Sequence, residues 1–476
     1  MVNTLYWHDY ETTGVDPARD RPVQFAGVRT DEELNIIGAP LTLYCQPSLD
    51  TLPHPEASLI TGITPQLALA KGHPEPQFIG TILAQLAAPN TCGVGYNSIR
   101  FDDEVTRYTL YRNFHDPYER EWRQGNSRWD LIDMLRLTRA LRPEGINWPN
   151  REDGSPSFKL EELTAANGLE HDAAHDALSD VMATIGLARL VRDRQPKLYQ
   201  YVYQSRLKRV VEDLINVVDG QPFLHVSSRL PRENGYVGLM MPLASHPLNK
   251  NEIICFNLGV DPRPLLELDA QAIRARVFTA TDQLPEGADR IPLKGVHINR
   301  SPVVATAKLL DAQTATRLGI DLDACQRHWQ LLRGHDLRAK LTEVYAPPDR
   351  TGNRDPELAL YGGFLPNQDK PLLAQIRQAR GPELASTNFV FKDKRYGELL
   401  FRYRARHYPE TLSVDERARW QESVRARLTD EAGGYLTLHS YNLELDRLQD
   451  RPDLSARDQN ILEQLRAWGT QLAESV

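Results

Sequence analysis

The stretch Trp7-His8-Asp9-Tyr10-Glu11-Thr12-Thr13-Gly14 sets two carboxylates two residues apart, in a run that reads as a strand ending in a turn at Gly14. Side chains two apart on a strand share a face, so Leu5, Trp7, Asp9 and Glu11 point the same way. At about 3.4 Å per residue the two acids stand about 7 Å apart along the backbone, and their side chains can lean together. Left alone they repel, and one holds a proton. A divalent cation between them removes that conflict, and hard carboxylate oxygens suit magnesium or manganese. An acidic strand end facing solvent has the same local pattern, so the pair needs partners before it means chemistry.

Three further groups answer it. Asn97-Ser98-Ile99-Arg100-Phe101-Asp102 follows a short apolar run and opens a helix. Asp102 there is either a site acid or a carboxylate that compensates the helix dipole. In His175-Asp176-Ala177-Leu178-Ser179-Asp180 the histidine lies at or just before a helix start, and Asp180 lies within the first two turns. Standing alone, that histidine is equally a surface or capping residue. Lys159 sits in the loop-to-helix passage Ser157-Phe158-Lys159-Leu160, where a solvated lysine is the plainer reading.

The elements that must position these groups show in the apolar periodicity. The first strand, Val23 to Arg29 and Ile36 to Cys45 form an antiparallel meander with a polar turn at Asp31-Glu32-Glu33. Residues 56 to 88 carry helical patterns, and Cys92 to Tyr96 is a short buried strand. Asn97 or Ser98 is expected to cap the next helix, whose stripe is Val105, Tyr108 and Thr109, then Arg112 and Phe114. Arg128 to Leu141 reads as a helix ended by Pro143, and 143 to 157 as a loop. A short helix starts at Ser157 and stops at Gly168, and another runs from about Asp176 to Asp193. Strands followed by alternating helices and strands indicate an α/β layer with a mixed sheet.

The texture changes after about residue 196. A basic helical pattern over 197 to 217 precedes strand-like runs at Pro222 to Ser227, Tyr236 to Met241, Glu252 to Leu258 and Val296 to Ala305. These suggest a small barrel or sandwich. Helical periodicity returns near Ala324 to Tyr345, 346 to 353 reads as a linker, and the remainder is mostly helical. Its last helix carries Ile461, Leu462, Leu465, Trp468 and Leu472 on one face.

Composition bounds the function. A chain of 476 residues with 41% hydrophobic content holds two to four domains with real cores. A net charge of −8 argues against a general polycation but leaves room for a local basic groove. The four cysteines show no CxxC spacing, which speaks against a disulfide framework or a zinc site and fits a reducing compartment. No secretory signal and no apolar run of about 18 residues is evident. A cytoplasmic protein is the expectation.

Taken together, the order Asp-x-Glu, Asn-x-x-x-Phe-Asp and His-x-Ala-x-x-Asp resembles the DEDDh family of 3′→5′ exonucleases, over about residues 5 to 190. The likeness extends to the bacterial exodeoxyribonuclease I branch. It is carried by Asp9-Tyr10-Glu11-Thr12, Arg21-Pro22-Val23-Gln24-Phe25-Ala26-Gly27, Gly95-Tyr96-Asn97 and Arg128-Trp129-Asp130, and by Leu141 to Pro149 and Leu400 to Arg406. The resemblance implies an α/β chain with an RNase H-like exonuclease domain (1–190), an SH3-like β domain (196–348) and an α-helical C-terminal domain (353–476). It implies hydrolysis of single-stranded DNA to 5′-mononucleotides in DNA repair and recombination.

By position, Asp9, Glu11 and Asp180 would bind two magnesium ions, with manganese as the alternative. Asp102 would complete the acidic set, and His175 would be the general base. Glu11 and Lys159 would also touch the substrate. DNA contacts would come from Arg107, Tyr118, Trp122, Arg136, Asn251, Lys294 and Asn299. Lys159 departs from the arginine expected there, keeping the charge but losing the bidentate fork on phosphate. Arg142, Arg206, Lys208 and Arg209 would receive the acidic tail of single-strand-binding protein, or are simply surface. The resemblance also implies a monomer. Arg402, Arg404 and Arg406 either line phosphates or form an internally paired face. An RNA-directed member of the superfamily is one alternative, and a non-catalytic single-strand-binding module is another.

Overall fold

The computed structural model describes residues 3–171, 175–347 and 355–474. The linker expected at 346 to 353 falls, from residue 348 on, outside them. The chain divides into two compact units. One comprises Met1–Asn126, Asp172–Met182 and Gly352–Val476, and the other Ser127–His171 and Ala183–Thr351. Among the described residues no helix is long and apolar enough to cross a membrane.

In the first unit, β1 (Thr4–Thr12) is flanked by β2 (Pro22–Thr30) and by β4 (Thr91–Gly95), with β3 (Leu41–Tyr44) beyond β2. The β1–β2 and β2–β3 pairs are antiparallel and β1–β4 is parallel, so the sheet is mixed, as expected. Both faces of β1 are covered. Tyr6 and Tyr10 pack with Phe25, Phe78, Ile82 and Val105, while buried Trp7 donates its indole N–H to Thr30 Oγ1 at 2.9 Å. Gly27 is required for this fit, since a Cβ there would lie 2.2 Å from the Tyr6 hydroxyl oxygen.

Helices Pro55–Thr61, Pro65–Lys71 and Glu75–Leu86 fill the stretch read as helical, each with proline in its first turn. Neither Asn97 nor Ser98 caps the following helix. Asn97 takes a left-handed conformation, Ser98–Arg100 forms a 3₁₀ turn, and the helix Asp102–Arg112 starts after Phe101.

The helical C-terminal segment belongs to this same unit. Arg402, Arg404 and Arg406 lie on the helix Arg395–His407 and are paired internally, which settles the choice left open for them. Arg402 reaches Asp355 at 2.6 Å, Arg404 reaches Glu416 at 2.8 Å, and Arg406 reaches Asp50 at 2.7 Å and also Glu357. Arg427 pairs with the same two acids, and Arg21 meets Glu357 at 3.3 Å. The last helix, Ala456–Glu474, buries Ile461, Leu462, Leu465, Trp468 and Leu472 as its periodicity indicated.

In the second unit, residues 128–141 do not form one helix. Ser127–Asp130 is strand β5, and the Asp130 carboxylate caps the helix Leu131–Leu141 by accepting the Ile132 N–H at 3.1 Å. Farther on, β6 (Phe223–Val226), β7 (Val237–Ser245), β8 (Glu252–Asn257), β9 (Leu293–His297) and β10 (Val304–Thr306) form one antiparallel sheet, ordered β10-β6-β7-β8-β9. The run expected as one strand over 296–305 is two, because the chain turns between β9 and β10. Helices Arg263–Glu267 and Ala270–Phe278, which the sequence reading had not assigned, separate β8 from β9.

The arginine–carboxylate network sets the first unit's response to acid. Burial alone would raise the Asp50 and Glu357 carboxyls, but Arg406 and Arg427 hold both well below the ordinary range. Glu75 is likewise brought down to about 2, against its burial, by Arg112 and Arg21. A depressed carboxyl adds stability above its unfolded value and loses it as pH falls through the folded one. The first unit should therefore weaken progressively below about pH 4, read by tryptophan fluorescence in an acid titration. Asp50→Ala leaves the buried guanidinium groups of Arg406 and Arg427 short of one shared carboxylate and should destabilise by about 3–5 kcal/mol. An unchanged urea midpoint for that variant would show that the network contributes nothing.

Candidate active site

The site is built from one strand, one helix start and one lead-in turn. On β1, Asp9 stands opposite Ala26 and Glu11 opposite Gln24, with a register shift between Glu11 and Thr12. The helix Asp102–Arg112 brings Asp102 against the strand between the two acids, where Oδ1 accepts the Tyr10 N–H at 3.0 Å. Asp103, its neighbour, instead pairs with buried Arg120 at 2.5 Å. The helix Ala177–Arg194 delivers Asp180 from its first turn. One carboxylate oxygen from each of Asp9, Glu11 and Asp180 lies within 4.8 Å of the others. His175 sits just before that helix, exposed, with φ of 64°.

Electrostatics shows what the cluster lacks. Burial, then the charges of Asp102, Glu11, Asp180 and Asp176, pushes the Asp9 carboxyl well above its ordinary value. Burial, then Asp180, Asp102 and Asp176, pushes Glu11 up to about 9. This is concentrated negative charge, and the oxygen-only donor set fits a hard divalent cation. A second group, His54, Glu56 and Glu444, is also close enough to hold an ion. Its acids are already compensated by Arg447, 2.6 Å from Glu444, and by Arg451, 2.8 Å from Glu56.

Of the expected strand contacts in the first unit, Trp122 is 64% exposed. Arg107 is held inside. It grips Glu121 at 2.7 and 2.8 Å, reaches Glu104 at 2.8 Å, and lies over the Tyr118 ring at 5.4 Å. Sequence reading missed Tyr361 and Phe364. Their rings lie 6.4 and 6.1 Å from that of Tyr118, and Phe364 is 88% exposed. Both lie in the apolar, glycine-containing run Leu358 to Pro366, which carries no local signal that sets them beside Tyr118.

In the second unit, Arg136 is buried, paired with Asp133 at 2.5 Å and stacked over Tyr236 at 4.9 Å. Lys159 is exposed and 3.3 Å from Glu162. Asn251 accepts from the Lys208 ammonium at 2.8 Å, and Lys294 lies on β9 opposite Cys255. The exposed Asn299 accepts at its carbonyl from Arg128 at 3.2 Å.

Comparison with known proteins gives these groups a context. Residues 6–188 match the family described as Exonuclease, 206–347 the Exonuclease I SH3-like domain, and 354–472 the Exonuclease I C-terminal domain. The exodeoxyribonuclease I of Haemophilus influenzae is 44% identical over 472 residues, 98% of either chain. The solved exonuclease I of Methylocaldum szegediense is 51% identical, with a TM-score of 0.94 over 99% of both chains. Escherichia coli exonuclease I in complex with a dA16 oligonucleotide is 44% identical, with a TM-score of 0.94 over 99% of this chain and 100% of that one. The E. coli protein is also known as a zinc-bound complex with single-stranded DNA. Shared at these identities along nearly its whole length, the chain belongs to the bacterial exonuclease I family of DEDDh exonucleases.

Proposed function

We propose that this enzyme removes 5′-mononucleotides from the 3′ end of single-stranded DNA, in DNA repair and recombination. The observation that carries the reading is the closure of Asp9, Glu11 and Asp180 to within 4.8 Å. Asp102 lies against the same strand, and His175 stands at the adjoining helix start. The DNA-bound and zinc-bound forms of the E. coli relative support both the substrate and a divalent site. Magnesium is the proposed resident ion, with two per site, and manganese is the alternative.

Asp9, Glu11 and Asp180 would hold the ions, and Asp102 would fix the strand backbone between the two β1 ligands. Bound there, divalent cations polarise the scissile phosphate and acidify the attacking water. His175 takes that water's proton as general base, a role suited to imidazole near neutral pH. The water oxygen then bonds to the last phosphorus as its P–O3′ bond breaks, so the 5′-mononucleotide leaves with the new oxygen and the 3′-oxygen of the shortened strand takes a proton from solvent to become a 3′-hydroxyl. Glu11 and Lys159 touch the terminal nucleotide, with Lys159 as a point charge on phosphate. Tyr118 and Trp122 offer faces on which bases stack without regard to sequence. Asn251, Lys294 and Asn299 add backbone contacts, and Arg107 and Arg136 act in place, beneath Tyr118 and Tyr236.

The domain boundaries 1–190, 196–348 and 353–476 belong to the same reading and are supported by the family matches. So do a monomeric state and docking of an acidic single-strand-binding-protein tail on Arg142, Arg206, Lys208 and Arg209. A cytoplasmic setting is part of the same reading, in keeping with four cysteines that are all buried. Parallel digestion of matched DNA and RNA oligonucleotides tests the substrate, and equal rates would favour an RNA-directed enzyme.

Asp180→Asn should abolish hydrolysis while leaving the protein folded. Glu11 supplies a second reading of the same site. Its carboxyl moves from an ordinary 4.5 to about 9, so metal-free protein should lose stability as pH rises through that window. Thermal melts between pH 5 and 9 in chelator should show that decline, and magnesium should reverse it. Wild-type turnover by Asp180→Asn in magnesium would remove that residue from the site.

The strand contacts separate by salt. Lys294→Ala should lower the salt slope of single-strand binding by about 0.7. Trp122→Ala should weaken binding by about 1–3 kcal/mol at nearly constant slope. Titration in calcium measures both, and equal slopes for wild type and Lys294→Ala would take Lys294 off the strand.

A further inference from the structure

His175 is presented by a turn in an unusual state. Its φ of 64° is a left-handed conformation that non-glycine residues hold only where neighbours over-determine it. One such neighbour is Gln24. It lies on β2 directly across from Glu11 and is 2% exposed, a lone polar residue in the apolar run Val23 to Val28.

Its carboxamide is used on both sides. Nε2 donates to Asp176 Oδ1 at 3.1 Å and to the Tyr44 hydroxyl oxygen at 3.1 Å. Oε1 accepts the Ala177 N–H at 3.2 Å. Asp176 in turn accepts the Ser179 N–H on Oδ2 at 3.3 Å and the Asp180 N–H on its carbonyl at 3.0 Å. One buried amide thus pins the two residues that follow His175, on the strand beside the one carrying Asp9 and Glu11.

We propose that Gln24 is a positioning residue for catalysis, holding the Asp176–Ala177 turn so that the His175 imidazole meets the attacking water. This rests on the reading of His175 as the base. The hydrogen bonds of Gln24 go to Tyr44, Asp176 and Ala177, so its effect runs through His175 and should appear in kcat rather than KM.

The test is a double-mutant cycle read by chemistry-limited single turnover on a single-stranded oligonucleotide in magnesium. His175→Ala should lose about 10²–10⁴-fold, and Gln24→Ala about 10²-fold through misplacement, with KM nearly unchanged. The Gln24→Ala/His175→Ala double variant should be no slower than His175→Ala alone. Losses that multiply would overturn the proposal, because Gln24 would then act independently of the base. A wild-type rate for His175→Ala would instead sink the base assignment itself.

Rescue gives a readout that does not depend on a truncated core. Gln24→Glu sets a second carboxylate against Asp176 and should slow turnover. Adding Asp176→Asn restores a donor to the new acceptor, and should return the rate to within a few-fold of wild type. Failure of that pair to recover, with both variants folded by circular dichroism, counts against the proposal.

Discussion

Repulsion among clustered, partly buried carboxylates is the constraint on which this structure depends. Asp9, Glu11 and Asp180 converge within 4.8 Å, and the charges of Asp102 and Asp176 add to the same field. No isolated peptide would hold them so. The cluster exists because β1 is wedged between β2 and β4, and because the helix Ala177–Arg194 delivers Asp180 from its first turn. The scaffold is rigid at the point where it stores unfavourable charge, as a metal-dependent site demands.

The opposite electrostatics governs the rest of the first unit. There, buried acids are each paired with buried arginines. Asp50 and Glu357 share Arg406 and Arg427, and Glu75 serves Arg112 and Arg21. These pairs tie the C-terminal helical segment to the strand-and-helix framework that carries the site. Buried ion pairs contribute little net stability over apolar packing, but they permit few alternative arrangements. The stretch carrying Arg21, Asp50 and Glu75 and a segment more than 300 residues downstream, at Arg406 and Arg427, are thereby held in one unit. The same logic explains Arg107, whose guanidinium is gripped by Glu104 and Glu121 and stiffens the Tyr118 surface.

Family membership and geometry reinforce each other here at different levels. The relatives establish an exonuclease with SH3-like and C-terminal domains. The coordinates of this chain show how its own residues meet those demands. Lys159 is the clearest departure from expectation, an exposed ammonium already shared with Glu161 and Glu162. In the proposed function, its grip on phosphate would be electrostatic rather than bidentate.

By itself, the sequence determined which acids and which histidine are candidates for the site, because residue type and short spacing are local properties. Asp9 and Glu11 share a strand face by periodicity, and His175 and Asp180 bracket one helix start. The strand meander and the final amphipathic helix were equally legible, since an apolar period of 2 or 3.6 needs no knowledge of partners. Only the tertiary structure decided what those periods pack against. By sequence, Arg402, Arg404 and Arg406 are either phosphate-lining or internally paired, and the acids Asp355, Glu416, Asp50 and Glu357 beside them decide for pairing. The helix expected from Arg128 divided into strand and helix because Asp130 caps the turn between them. Gln24 looked like an ordinary strand residue, and its contacts with Asp176 and Ala177 span 152 and 153 positions of sequence. Pairings at such separations follow from chain topology, which brings together residues that no local pattern relates.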